Sequence, residues 1–255
     1  MISGTPNSSL RALTAIFALI ASVSVALAGL ALMGAGSSGT PVASGPTWAY
    51  VSTANHNCIG DSGVTTATCT ASAGITAGNT VIVCAWGYGN ATAPTALAVT
   101  DNHSNTLTPL GTMYSSVTGV AIQLFDFKYS SNPGSTTWTA TQTGATGTSF
   151  ETALNVNEYS GLTPTLDSAA VGNYTTTANA TSASFTPGTT GDLMFGCAAS
   201  ASTSPTAGTG WTARQHYANW IYQQSEDLAA PAASPQTALF TNAAASMLTS
   251  AAAFK

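Results

Sequence analysis

From Trp48 to the end of the chain, apolar residues arrive in short runs that alternate with polar positions and stop at Gly, Pro, Asn or Asp. No stretch sustains an apolar face at helical spacing. The pattern predicts strands near Trp48–Thr53, Thr65–Ala71, Thr80–Tyr88, Ala96–Thr100, Thr106–Met113, Val120–Tyr129, Thr136–Gln142, Glu151–Tyr159, Ala180–Phe185, Leu193–Ala199, Trp211–His216, Trp220–Gln224, Gln236–Phe240 and Met247–Phe254. The last is rich in Ala, a helix former, but its interleaved Thr, Ser and Phe favour a strand. Roughly a dozen short strands with turns at regular spacing read as an all-β fold, an antiparallel β-sandwich of jelly-roll type.

Two of these runs echo each other. Gly78-Asn79-Thr80-Val81-Ile82-Val83-Cys84-Ala85 and Gly191-Asp192-Leu193-Met194-Phe195-Gly196-Cys197-Ala198 couple a turn to a nearly continuous apolar strand, with Cys at the same offset. Continuous apolar runs suit central strands covered on both faces. The echo marks two equivalent core strands and is too short to define a repeat.

Upstream, Arg11 precedes an uncharged run from Ala12 to Ala35 that is long enough to cross a bilayer. With the small-x-small pattern Ala26-Leu27-Ala28, residues 1–33 read as a signal peptide or a membrane anchor helix. A flexible linker over 34–47 and a single β-sandwich domain over 48–255 follow. A third reading is a pilin-type leader cut near Arg11, which keeps the apolar run as the core helix of a filament subunit. No Cys follows the run, which excludes a lipoprotein anchor. All three readings place the remainder outside the cytoplasm, extracellular or at the cell surface. The linker's Gly34-x-Gly36-x-x-Gly39 mimics a dinucleotide fingerprint, yet no strand precedes it and no helical pattern follows.

Composition narrows the function classes. Of 255 residues only 5% are charged, with a formal net charge of −5, where a soluble domain typically carries about 25%. Four Lys and Arg supply no basic footprint for nucleic acid. The apolar share of 44%, with five Trp, eight Tyr and eight Phe, is enough to build a packed interior. With so few titratable groups, stability is expected to vary little between neutral and mildly acidic pH.

A set of short segments carries a resemblance: Ala77-Gly78-Asn79-Thr80-Val81, Pro94-Thr95 leading to Val99-Thr100-Asp101, and Asn105-Thr106. It continues through Glu158-Tyr159-Ser160-Gly161-Leu162, Gly191-Asp192-Leu193, Gly210-Trp211-Thr212 with Arg214, Glu226-Asp227 and Ala251-Ala252-Ala253-Phe254. On these residues the chain resembles a family of poorly characterised, secreted bacterial β-domains with a jelly-roll, lectin-like fold. The resemblance spans most of Trp48 to Phe254. It implies fold and export, and no activity, because its segments are turn and core residues.

Four Cys in an exported chain point to disulfides. Cys58 and Cys69 flank a Gly-Asp-Ser-Gly turn and are expected to pair. Cys84 and Cys197, at matching places in the two apolar runs, either bridge as neighbours or remain buried thiols.

The chemistry-bearing residues give weaker signals. Thr53-Ala54-Asn55-His56-Asn57-Cys58 and Gly60-Asp61-Ser62-Gly63 look like the histidine and serine motifs of trypsin-like proteases. Here both fall in one small loop with no Asp between them, which a triad does not allow. A glycosidase needs two carboxylates about the scissile bond. None of the nine acidic residues forms an i, i+2 pair on a strand: Glu226 and Asp227 point to opposite faces, and Glu158 with Asp126 is left as a cross-strand pair. A polysaccharide lyase is the stronger enzymatic alternative, since Arg214 and His216 share parity on one strand and Tyr217, Tyr222, Gln223 and Gln224 follow on the next. Scattered His56, His103 and His216 make zinc a poor fit. Asp101, Asn102 and Asn105 form an oxygen-rich loop that suits a turn, or Ca²⁺ as the sole cofactor to consider.

Aromatic residues near strand ends carry the main functional hint. Trp86, Tyr88, Trp211, Tyr217, Trp220 and Tyr222, with Arg214 and His216, are the candidate ligand-binding residues, where rings could stack on sugars beside Asn and Gln. Core filling is the competing role for each ring. The reading is an exported or surface-anchored, non-catalytic module that binds a neutral polysaccharide or associates with itself, touching a membrane only through a retained N-terminal segment. Asn90, Asn102, Asn173 and Asn179 begin Asn-x-Ser/Thr acceptors in polar segments and are expected at the surface.

Overall fold

Where one face of a strand meets solvent, buried and exposed residues alternate, as in Thr66–Ala71; where both faces are covered, burial is continuous, as in Leu193–Ser200. The computed structural model describes residues 46–52, 57–116, 119–163, 166–200, 202–218 and 221–255. The predicted signal or anchor segment, Trp220 and His56 lie outside them. No helix among the described residues is long and apolar enough to cross a membrane.

In chain order the strands are β1 (Ala49–Tyr50), β2 (Cys58–Ser62), β3 (Thr66–Ala71), β4 (Thr80–Gly89), β5 (Ala96–Asp101), β6 (Thr108–Ser115), β7 (Val120–Lys128), β8 (Thr136–Thr143) and β9 (Phe150–Ser160). They continue with β10 (Leu166–Thr175), β11 (Ala180–Thr181), β12 (Leu193–Ser200), β13 (Thr206–Ala207), β14 (Thr212–Ala218), β15 (Tyr222–Ala229), β16 (Leu239–Thr241) and β17 (Met247–Phe254). All ladders between them are antiparallel. The all-β, sandwich-like expectation therefore holds.

A six-stranded sheet runs β1-β9-β4-β7-β6, with β2 also on β9, and a five-stranded sheet runs β10-β17-β12-β15-β14. Two three-stranded sheets, β3-β8-β5 and β11-β16-β13, complete the set. Three apolar clusters show how they stack. The central one joins the two large sheets through Ile82, Cys84, Trp86 and Leu124 on one side and Phe195, Cys197, Leu248 and Phe254 on the other. A second packs Val81, Val83 and Val156 of the six-stranded sheet on Trp138, Ala140 and Val99 of β3-β8-β5. A third packs Met194, Ala198 and Ala251 on Phe240 and Ala180. The result is four layers of sheet with three cores between them.

The order of strands repeats. Adding eight to each label turns β2-β9-β4-β7-β6 into β10-β17-β12-β15-β14, and β3-β8-β5 into β11-β16-β13. The sequence echo is the visible trace of this repeat: Gly78 and Gly191 both take positive φ, 87° and 93°, in the turn entering β4 and β12. Backbone bonds repeat there too, Asn79 N–H to Thr76 and Gly78 N–H to Tyr129, matched by Asp192 to Thr189 and Gly191 to Ala230.

Cys84 on β4 and Cys197 on β12, at the matching position in each half, form a disulfide with a Cα–Cα distance of 6.5 Å, which resolves the alternative left open by the sequence. Cys58 and Cys69 are also bridged, as expected, with Cα atoms 5.6 Å apart, and join the six-stranded sheet to β3-β8-β5. Two disulfides are a mark of an oxidising compartment.

Candidate functional site at one end of the sandwich

The two central strands lie side by side across the Cys84–Cys197 bridge, so their ends define the ends of the sandwich. On the inner face of the six-stranded sheet, Trp86 of β4 is followed by Tyr88, their rings stacked at 6.2 Å and 20°. Tyr88 pairs with Glu151 of β9, and Trp86 with Ala153, which in turn pairs with Asp61 of β2. From the five-stranded sheet, Gln223 accepts a bond from Asn155 Nδ2 at 3.3 Å, and the Ile221 N–H donates to Asp61 Oδ2 at 3.1 Å. Tyr217 of β14 is the direct cross-strand partner of Gln223. Register thus gathers Trp86, Tyr88, Glu151, Asp61, Gln223 and Tyr217 at one end.

Their roles differ with burial. Trp86 is 1% exposed and serves as the floor, whereas Tyr88, Tyr217 and Glu151 are half-buried. The Trp86 indole N–H and the Gln223 amide nitrogen, both buried, find no acceptor among the described residues. Burial raises the Glu151 carboxyl above its usual range, and the neighbouring Asp61 charge adds to it. The end therefore offers rings, two donors and a pair of carboxyl groups, of which Glu151 is weakly acidic.

The other predicted site residues go elsewhere. A register shift between Ala213 and His216 breaks the parity on which a shared Arg214 and His216 face depended. Arg214 turns to Asp227, with Nε–Oδ2 at 2.6 Å and Nη2–Oδ1 at 2.8 Å, and lies over the Tyr50 ring at 4.5 Å. Tyr159 donates to the same Asp227 Oδ2 at 2.7 Å. Burial opposes the Arg214 charge, but the Asp227 bond and charge outweigh it and raise its pKa. His216 pairs instead with Gln224 on the other face, exposed and bonded to Ser204 Oγ at 2.5 Å. Tyr222 shares that outer face, and half-buried Trp211 packs against the third core.

Glu158 and Asp126 do not meet: β4 separates them, with Val81 beside Glu158 and Ile82 beside Asp126, so they occupy opposite faces. Glu158 Oε1 accepts from Thr76 N–H and Asn79 Nδ2 at 2.9 and 2.6 Å. Burial pushes the Asp126 carboxyl up to about 6. Glu226, fully buried, is pushed by burial up to about 8 despite bonds from the Gly208 and Leu239 N–H groups.

The Asp101 loop is a clasped turn. Its carboxylate accepts from His103 N–H, Asn105 N–H, Asn105 Nδ2 and Tyr129 O–H, at 2.6 to 2.9 Å. Burial would raise its pKa, and these bonds more than reverse that. Among the described residues no group of three or more His, Cys, Asp or Glu could hold a metal ion.

Asp61 and Glu151 escaped the sequence reading. Asp61 lies in a segment whose Gly and Asp read as a turn, and Glu151 has no acidic residue at i+2 on its own strand, so only the β2–β9 pairing brings the two together. The available signal was the inward parity of Glu151 with Ala153, which a known β2–β9 register would have exposed. Compared with known proteins, the sequence matches no family model and no curated protein.

Proposed function

We propose that the folded chain is an exported, non-catalytic binding module built from two fused jelly rolls, which takes a neutral glycan at the Tyr88 end of the sandwich. In each half, strands interlace as first-eighth-third-sixth in one sheet and second-seventh-fourth in the other, the order of a jelly roll with its fifth strand moved to the larger sheet. The observation that carries the ligand reading is that each of two buried donors without an acceptor among the described residues has a half-buried tyrosine beside it: Trp86 Nε1 with Tyr88 stacked on its ring, and Gln223 Nε2 with Tyr217 as the cross-strand partner. Sugar hydroxyls supply acceptors and apolar ring faces together. A formal charge of −5 works against anionic polymers.

Asp61 and Glu151 favour one second reading, a glycoside hydrolase, because a carboxyl raised by burial beside another carboxylate suits an acid and base pair. The lyase alternative needed Arg214 and His216 on one face, and Arg214 is engaged by Asp227. Affinity electrophoresis in gels cast with neutral or uronate polysaccharides tests the proposal. Retardation is expected in a neutral gel, lost in Tyr88→Ala and kept in Trp211→Ala. Retardation confined to uronate gels would overturn it, and release of reducing ends would move the site to the hydrolase reading.

A further inference from the structure

The outward face of β3-β8-β5 is built almost wholly from threonine, with two alanines on β5. Along β3, Thr66, Thr68 and Thr70 alternate with buried Ala67, Cys69 and Ala71. Along β8, Thr137, Thr139, Thr141 and Thr143 alternate with buried Trp138, Ala140 and Gln142, and along β5 the outward residues are Ala96, Ala98 and Thr100. Register aligns them in ranks: Thr66, Thr141 and Ala98; then Thr68, Thr139 and Thr100; then Thr70 with Thr137. Neighbouring strands lie about 4.8 Å apart and alternate residues about 6.8 Å apart. The face is therefore a net of hydroxyl and methyl groups with two fixed spacings.

The fold does not demand this net. In the second half, the matching sheet β11-β16-β13 has strands of two, three and two residues, and satisfies the same topology without such ranks. The larger sheet is also held rigid: Cys69, between Thr68 and Thr70, is tied to β2, and Thr70 Oγ1 bonds Thr137 Oγ1 at 2.7 Å. No Lys, Arg, Asp or Glu faces outward from these strands, and no aromatic ring does. Sugar recognition on a flat face uses rings, whereas a charged group would hold its own hydration shell and spoil an ordered solvent layer.

We propose that this face binds ice. Threonine methyls order the water above them while the hydroxyls anchor it, and the two spacings resemble those of oxygen rows on ice crystal faces. A pre-ordered, uncharged net loses little entropy when it merges with the lattice. This surface is separate from the Tyr88 end and does not depend on glycan binding there.

The test uses the full chain, fluorescently labelled, with uptake into a slowly growing ice hemisphere and thermal hysteresis as readouts. The protein is expected to enter the ice and open a hysteresis gap. Thr139→Lys at the centre and Thr68→Lys at the exposed edge should each lower uptake several-fold, with native circular dichroism retained, while Thr209→Lys in a distant exposed turn should match the parent. Exclusion of the parent from ice would overturn the proposal, as would folded Thr68→Lys entering ice as the parent does. Binding to crystalline cellulose that Thr68→Lys abolishes, without ice uptake, would also overturn it and give the face to a solid glycan.

Discussion

Glu226 sets a pH dependence that the scarcity of charge conceals. Its carboxyl is fully buried, and burial lifts it from 4.5 to about 8. A carboxyl with a raised folded pKa favours the protonated fold: its contribution is complete below the ordinary value and is lost as pH rises through about 8. Between pH 6 and pH 8 the unfolded chain has released this proton while the fold keeps most of it, at about 1.4 kcal/mol per pH unit. Stability should therefore fall by about 2–3 kcal/mol across that window, or roughly 5–10 °C in Tm for a domain of this size. Asp126, lifted to about 6, acts mainly below it. The assay is chemical unfolding at fixed ionic strength at pH 6, 7 and 8, on the parent and on Glu226→Gln. The variant should be less stable at pH 6, since its amide NH₂ faces one of the N–H groups of Gly208 and Leu239, but should lose the slope. A flat or rising parent curve, or an unchanged slope in Glu226→Gln, would refute the reasoning.

Three further outcomes follow from packing. Tyr159→Phe removes the bond to Asp227, and the matching position in the other half is already Phe254; a loss of about 1–2 kcal/mol by urea unfolding is expected. Replacing Cys84 and Cys197 with Ala releases a closure spanning 113 residues and should lower stability by about 4–5 kcal/mol in the same assay. Gly60→Ala places a Cβ 2.2 Å from the Thr68 carbonyl oxygen, so the β2–β3 contact must open; non-reducing peptide mapping should then show reduced recovery of the Cys58–Cys69 bridge.

The strands whose outward residues are polar and inward residues apolar were legible in the sequence, and so was the pair of continuous apolar runs at the centre. The repeat was not, because β2 and β10, the first full strand of each half, do not look like strands. Cys58–Ser62 carries Gly60 and Asp61, which read as a turn, and Leu166–Thr175 is dominated by small and polar residues with two register shifts. Both are edge strands, where pairing with β9 and β17 supplies the order that propensity does not. The missed β10 also explains why Asn173 is half-buried, while Asn90, Asn102 and Asn179 are exposed as expected. Parity put Arg214 and His216 on one face, but a bulge in β14 separates them, and bulges leave no periodic mark in a sequence.

Mapping a bound neutral oligosaccharide by amide chemical shifts tests the central claim most directly. The account predicts perturbations that concentrate at Tyr88, Glu151, Tyr217 and Gln223, with β3-β8-β5 and the Arg214–Asp227 pair unchanged. Perturbations centred on His216 and Tyr222 on the outer face, or none at saturating sugar, would contradict it.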